Sequence, residues 1–300
     1  MDVQQLNMQF GLGGAVRFGP GPGGFTVAEI KTAQAAATVA LYGGHVLTFQ
    51  PQGAQPVLWL SPRARFEPGK PIRGGIPVCW PWFSAHPSDT TKPFHGFARI
   101  MPWQVAASGA GEGGRVWLRL RLTDSAATQA LWPQRFGLEL TVTVGPELGV
   151  ELKTCNPGEI PFTITQALHS YLAVSAAADI GVTGLDGVDY LDKTDNQKRK
   201  RQRGTVRFEG ETDRTYLGTT AECVITDPGW NRWLRVAKSG SRTTVVWNPW
   251  VERSRNLEDM GDGAYTGMVC VETANAADDT VVLQPGQEHR LVTAIRVDAV

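Results

Sequence analysis

The strongest constraint on the fold of this chain is the alternation of apolar and polar residues in many short runs. In Val116–Leu122, the residues Val116, Leu118, Leu120 and Leu122 fall on one face, with Trp117, Arg119 and Arg121 on the other. A period of two is that of a β-strand with one buried face. The pattern recurs in Phe25–Ile30, Leu138–Val144, Val150–Thr154, Phe162–Leu168, Thr243–Trp247, Met268–Val271 and His289–Val297. Glycine and proline, 34 and 19 residues respectively, cut the chain between these runs. One stretch reads as a helix, Ser125–Leu131, with Asp124 as N-cap and Pro133 as the stop. Many strands without regular intervening helices predict an all-β sandwich or barrel of mainly antiparallel strands with few short helices, not a doubly wound sheet. No fixed-period repeat or linker interrupts the pattern. Residues 25–300 therefore read as a single β-sandwich domain, and the glycine-rich stretch Gly11–Gly24 makes residues 1–24 a flexible N-terminal segment.

Composition excludes several functions. Hydrophobic residues make up 42% of the 300, ample for a large core. Basic and acidic residues balance at 29 each, so no broad field draws the chain to nucleic acid or an anionic membrane. Cys79, Cys155, Cys223 and Cys270 form no CxxC pair, which signals neither a zinc knuckle nor a redox motif and fits free thiols in a reducing compartment. Met1–Phe10 lacks the basic start and apolar stretch of a signal peptide, and no run approaches the ~18 apolar residues of a membrane span. A cytoplasmic monomer without nucleic-acid or membrane partners is expected. Gly109–Gly114 fits GxGxxG by letter, but a strand-like run follows where the dinucleotide motif needs a helix, so it reads as a turn. Lys198–Arg201 is a basic run whose simplest reading is a solvated loop and whose functional reading is attraction of an anionic substrate.

Four segments look chemical. Arg73–Phe83 (RGGIPVCWPWF) sets an arginine beside two glycines, then places Trp80 and Trp82 on proline-stiffened backbone. An indole there can stack on the apolar face of a sugar or simply pack in the core, and the arginine fork suits an anion. In His95–Arg99, an extended backbone puts His95, Phe97 and Arg99 on one face. His169 lies between apolar neighbours, with Ala167 and Tyr171 on its side of a strand, where its charge depends on its partners. Glu272 ends the apolar run Met268–Val271, on the side of Met268 and Cys270; burial there raises a carboxyl pKa toward the range of a general base. Trp247–Trp250 (WNPW) repeats the aromatic and proline chemistry, and Asp213 and Asp259 are carboxylates in loop-like surroundings. Each residue taken singly is equally compatible with a structural role.

Together, RGGIPVCWPWF at Arg73–Phe83, HGFAR at His95–Arg99, HSYL at His169–Leu172, TDRTY at Thr212–Tyr216, WNPW at Trp247–Trp250 and MVCVE at Met268–Glu272 resemble, in order, the hexose-6-phosphate 1-epimerases. These are a branch of the aldose 1-epimerase, galactose-mutarotase-like superfamily. The resemblance implies a galactose-mutarotase-like β-sandwich (supersandwich) that interconverts α and β anomers of hexose 6-phosphates without metal or cofactor. It implies His169 as general acid and Glu272 as general base. It also implies a substrate site containing Arg73, His95, Arg99 and Asp213, to which the aromatic and proline chemistry adds Trp80 and Trp247 as expected substrate contacts. Two positions depart from the family pattern: Phe94 replaces a Gln before the HGFAR histidine, and Ser84 replaces a Gly after WPWF. Competing readings are an epimerase of unphosphorylated sugars, a non-catalytic carbohydrate-binding sandwich, and a glycoside hydrolase using Asp213 and Glu272.

Overall fold

The computed structural model describes residues 1–299, and antiparallel strands dominate it. One eight-stranded sheet runs in the order Gly181–Thr183, Cys223–Asp227, Arg232–Ser239, Glu288–Ala299, Glu147–Cys155, Gly137–Val144, Val116–Thr123 and Gln104–Ala110. Gly137–Val144 alternates half-buried and buried residues along its whole length, as expected of a strand with one face on a core. The other large sheet has Lys198–Arg201 at one edge, followed by Asp189–Asp192, Thr212–Tyr216, Thr243–Asn248, Met268–Asn275, Gln166–Leu168 and Val78–Cys79. Tyr171–Ala173 also pairs with Met268–Asn275. A four-stranded sheet runs from Val16 to Pro51, and a two-stranded ribbon joins Phe162–Ile164 to Val281–Leu283.

The main core draws Leu118, Leu140, Leu152 and Ile295 from the first large sheet and Leu168, Val246 and Val271 from the second. Alternation along Met268–Asn275 then fixes what faces away from that core. Val269 and Val271 belong to it, whereas Met268 and Cys270 pack in a separate cluster with Tyr171. Loop residues Trp59, Leu257 and Tyr265 cover that outer face. All eight residues of Met268–Asn275 are consequently buried, Glu272 included.

The sequence reading needs correction at several places. Residues 1–24, expected to be flexible, carry a helix over Val3–Phe10 and a strand over Val16–Pro20. Asn7 ties the two together, its side chain bonding both the N–H and the C=O of Phe18. The predicted helix starts at Ala126 with Ser125, not Asp124, as N-cap; the Asp124 carboxylate instead accepts from the Phe136 N–H. Lys198–Arg201 is an edge strand rather than a loop. Its cations are met by nearby acids, Lys200 pairing with Asp192 and Asp195, and Arg199 with Asp189. Gly109–Gly114 closes a hairpin between Gln104–Ala110 and Val116–Thr123, as its reading as a turn requires. Among the described residues no helix is long and apolar enough to cross a membrane.

The HGFAR segment depends on one close approach. Gly96 has φ 71° and a Cβ there would lie 2.0 Å from the Trp80 carbonyl oxygen. That oxygen accepts from the Phe97 N–H, so the contact pins one candidate segment to the other. Gly96→Ala is expected to destabilise the protein by ~2 kcal/mol or more, because left-handed backbone and a steric clash add. Calorimetry should show the thermal midpoint lowered by several degrees, roughly in line with the usual scaling; an unchanged midpoint would refute the constraint.

Candidate active site

A cavity of about 230 Å³ opens on the outer face of the second sheet. Strand register sets both its floor and the buried layer packed beneath it. Tyr171 is paired with Cys270, Cys270 with Trp247, and Trp247 with Asp213, so these side chains form one row across the sheet. Glu272 lies two residues beyond Cys270 on the same face, opposite Val245. His169 sits in a two-residue break between Gln166–Leu168 and Tyr171–Ala173, where its N–H donates to the Pro77 carbonyl. The break turns the imidazole onto Tyr171, with ring centroids 4.8 Å apart and planes at 17°. His169 Nε2 then stands 3.3 Å from Glu272 Oε1. Residues 103 positions apart in the chain thus meet at the cavity floor.

Burial dominates the electrostatics of this pair. The Glu272 carboxyl is pushed well above its ordinary value by desolvation. The His169 imidazole is pushed well below its own, first by desolvation and then by the charges of Arg99 and Arg73. Both shifts favour neutral forms, so the proton of the empty pair rests on the carboxyl. Glu272 Oε2 and His169 Nδ1 have no hydrogen-bond partner.

The cationic wall includes Arg73 and Arg99. Arg73 precedes Gly74 and Gly75, with φ 106° and 62°. A Cβ on Gly75 would lie 2.2 Å from the Val46 carbonyl oxygen, which explains why this turn needs glycine. Arg73 Nε donates to Asp259 at 3.2 Å and Nη1 to the Tyr171 hydroxyl at 2.9 Å. Burial alone would lower the pKa of Arg73, but Tyr171 and Asp259 raise it overall. Arg99 Nη2 donates to the Phe94 carbonyl at 2.6 Å, and its buried Nε has no partner. Desolvation holds the Arg99 pKa down, with Arg73 adding to the effect. His95 Nδ1 accepts from the Ser84 N–H at 2.9 Å, so the neutral ring carries its hydrogen on Nε2. Ser84 adopts φ 70°, a conformation glycine takes freely.

The structure brings Arg73, His95, Arg99, His169, Asp213, Trp247 and Glu272 to this one cavity. Trp80 is elsewhere. It is fully buried in the core, its ring packed on Phe97, Trp132 and Phe136. The reason is local: Val78–Cys79 is an edge strand and the next residue turns inward to meet Gly96. Phe97 likewise does not share a face with His95 and Arg99. His95 has φ 63° and Ala98–Ile100 is a 3-10 turn, so the segment is not extended and Phe97 enters the core. Asp213 lies within the strand Thr212–Tyr216 rather than in a loop. Lys193 and Arg253 also line the cavity, and sequence reasoning missed both. Lys193 pairs with Asp213 at 3.3 Å and lies over the Phe83 ring. The only signal for Arg253 was its place three residues after WNPW.

The aldose 1-epimerase family model matches residues 26–296. The chain belongs to the aldose 1-epimerase family. It is 38% identical over 265 residues to an Escherichia coli K12 protein named "Putative glucose-6-phosphate 1-epimerase", covering 88% of this chain and 87% of that one. A protein of the same name from Salmonella typhimurium is 39% identical over 244 residues, 81% of each chain. The crystal structure of a "putative mutarotase" from Salmonella typhimurium superposes with a TM-score of 0.90 at 32% identity over 99% of both chains. A galactose mutarotase-like protein from Lactobacillus casei shares the fold, with a TM-score of 0.71 at 12% identity over 91% of this chain and 100% of that one. The fold is thus the galactose-mutarotase-like all-β architecture, and this aldose 1-epimerase family member is an isomerase.

The charges around His169 in this family member can be measured without turnover. Imidazole NMR of the substrate-free protein should show His169 titrating below 6.5. Arg99→Ala should move that titration upward, because removing a nearby cation stabilises the imidazolium. A His169 titration at or above 6.5 in the wild type would contradict the assignment.

Proposed function

We propose that the chain interconverts the α and β anomers of hexose 6-phosphates, glucose 6-phosphate foremost. The observation carrying this reading is the 3.3 Å contact between His169 and Glu272 at the floor of a cavity that also presents Arg99, a half-buried cation with no acidic partner among the described residues. Opening a pyranose needs a proton taken from the C1 hydroxyl and a proton given to O5. One proton shared between two groups suffices, and no further reagent is consumed.

Glu272, as carboxylate, takes the C1 hydroxyl proton while His169, as imidazolium, gives one to O5. The C1–O5 bond breaks, C1 becomes the aldehyde carbon, and the pair is left neutral. Rotation about C1–C2 presents the other carbonyl face. O5 then attacks C1, His169 recovers its proton from the O5 hydroxyl, and Glu272 returns its proton to the C1 oxygen. Atoms and charge balance over the cycle.

The neutral pair favoured by burial is therefore the state that accompanies the open chain. The charged pair needed at the start of ring opening lies above it in the empty pocket. An anionic phosphate changes this balance. Arg99 and Arg73 depress the His169 pKa, so a phosphate beside them weakens that field and helps the imidazole hold its proton. Binding at the remote phosphate and proton transfer at C1 are coupled through these two arginines. Arg99 is the stronger phosphate ligand on this reading, because Asp259 and Tyr171 already occupy Arg73. Asp213 and His95 Nε2 contact sugar hydroxyls, and the Trp247 indole covers an apolar face of the ring.

The test is polarimetry or NMR exchange on freshly dissolved α-glucose 6-phosphate. Glu272→Gln and His169→Ala should each lose ~10²-fold or more, the range of positioned acid–base groups, with circular dichroism unchanged. Near-normal turnover in either folded variant would overturn the roles. Arg99→Ala should lower kcat/KM at least tenfold on glucose 6-phosphate and much less on glucose. Equal losses on the two sugars would remove the phosphate from the proposal and leave an epimerase of free aldoses.

A further inference from the structure

We propose that the cavity floor is also a binding site for a borderline-soft divalent cation, Zn²⁺ being the best match, and that its occupancy blocks the enzyme. His169, Cys270 and Glu272 each offer one ligand atom, and the three atoms all lie within 4.8 Å of one another. No sequence motif marks this site, because the ligands are a strand-break histidine and an i, i+2 pair on a distant strand. Register brings them together: Cys270 and Glu272 share a face, Cys270 is paired with Tyr171, and His169 stacks on Tyr171.

The geometry suits tetrahedral zinc. With bonds of ~2.0–2.1 Å to nitrogen and oxygen, two tetrahedral ligands stand about 3.3 Å apart. His169 Nε2 and Glu272 Oε1 are 3.3 Å apart already. A zinc–sulfur bond of ~2.3 Å puts the thiolate about 3.6 Å from the other donors, so Cys270, now within 4.8 Å of them, must close by up to about 1.2 Å. The cavity side leaves room for water as a fourth ligand. A second observation also points to a ligand: Glu272 Oε2, the other oxygen of the same carboxylate, is buried without any hydrogen-bond partner among the described residues. Donors of one nitrogen, one sulfur and one oxygen select zinc or cobalt over magnesium and calcium, which take oxygen.

Binding forms three metal–ligand bonds. It releases to solvent the thiol proton of Cys270 and the proton resting on the Glu272 carboxyl, so affinity rises with pH. No electron moves. The bound metal occupies the imidazole nitrogen and the carboxylate oxygen needed for proton transfer and is competitive with the sugar. This inhibitory consequence rests on the proposed roles of His169 and Glu272; the metal site itself does not.

Two measurements test it in chelator-free buffer. In the first, Zn²⁺ is titrated into the anomerisation of glucose 6-phosphate. Inhibition should be competitive, reversed by EDTA and absent with the same concentration of Mg²⁺. Cys270→Ala should keep basal turnover and lose at least tenfold in zinc sensitivity. Equal sensitivity of the wild type and this variant would overturn the site. In the second, Co²⁺ replaces Zn²⁺, and the near-ultraviolet thiolate-to-cobalt absorption band is recorded without turnover. The band should appear in the wild type and vanish in Cys270→Ala and in His169→Ala; its absence from the wild type would overturn the proposal even if the cysteine variant fails to fold. A cobalt band of the expected dependence without zinc inhibition would uphold the metal site and refute His169 and Glu272 as proton carriers.

Discussion

A carboxyl group in the middle of a strand buried on both faces is the costly feature around which the site is organised. Removing a carboxylate from water is tolerable only with a compensating partner or with the proton kept on the oxygen. Glu272 has one partner, His169, and one orphan oxygen. The fold supplies the arrangement through register alone. Pairing of Tyr171 with Cys270 fixes where the break at His169 falls relative to Glu272. A one-residue slip of Met268–Asn275 would send Glu272 into the sandwich core and Val271 into the cavity.

The same desolvation that raises Glu272 lowers His169, so in the empty pocket the shared proton rests on the carboxyl. The cations around them act on both groups, Arg99 and Arg73 on His169, and Lys193 and Arg99 on Glu272. Overall the chain is neutral, yet Arg73, Arg99, Lys193 and Arg253 line this one cavity. Two of them are matched by acids, Arg73 by Asp259 and Lys193 by Asp213. Arg99 is not, and its field reaches both His95 and His169. A site built this way responds to the charge of what enters it, which a pocket of neutral donors would not.

Much of the site could be read from sequence because its polar residues stand out against apolar strands. Glu272 and His169 interrupt runs of otherwise buried residue types, and the fold class follows from alternation that strands such as Gly137–Val144 display in full. What failed was whatever depended on the path of irregular chain. The face shared by His95, Phe97 and Arg99 presumed extended backbone, whereas a left-handed His95 and a 3-10 turn send Phe97 inward. The segment before Phe25 looked flexible because its glycines dominate by number; the hydrogen bonds of one asparagine, Asn7, outweigh them. Lys193, in a 3-10 turn, carries no local signal, and Arg253, on the helix Trp250–Arg255, carries only its closeness to WNPW, since a surface cation looks the same in sequence whether it faces a cavity or bulk water.

Trp80 shows why aromatic and proline-rich sequence is an ambiguous sign of a sugar site. An indole can pack on a pyranose face or on other rings, and the deciding factor here is which side of the backbone has room. Around Trp80 the carbonyl is engaged by Phe97 and the ring is enclosed by Phe97, Trp132 and Phe136, so the side chain serves as the anchor for the HGFAR segment. The cavity takes its aromatic surface from Phe83, Phe94 and Trp247 instead. Of these, only Trp247 stands on a sheet strand, next to Asp213 and Cys270 in one cross-strand row. Its position is therefore fixed by the same ladder that fixes Glu272. One ladder thus holds both the aromatic surface and the carboxyl group, and on the proposed reading a ring laid on Trp247 meets the His169–Glu272 pair in a defined geometry.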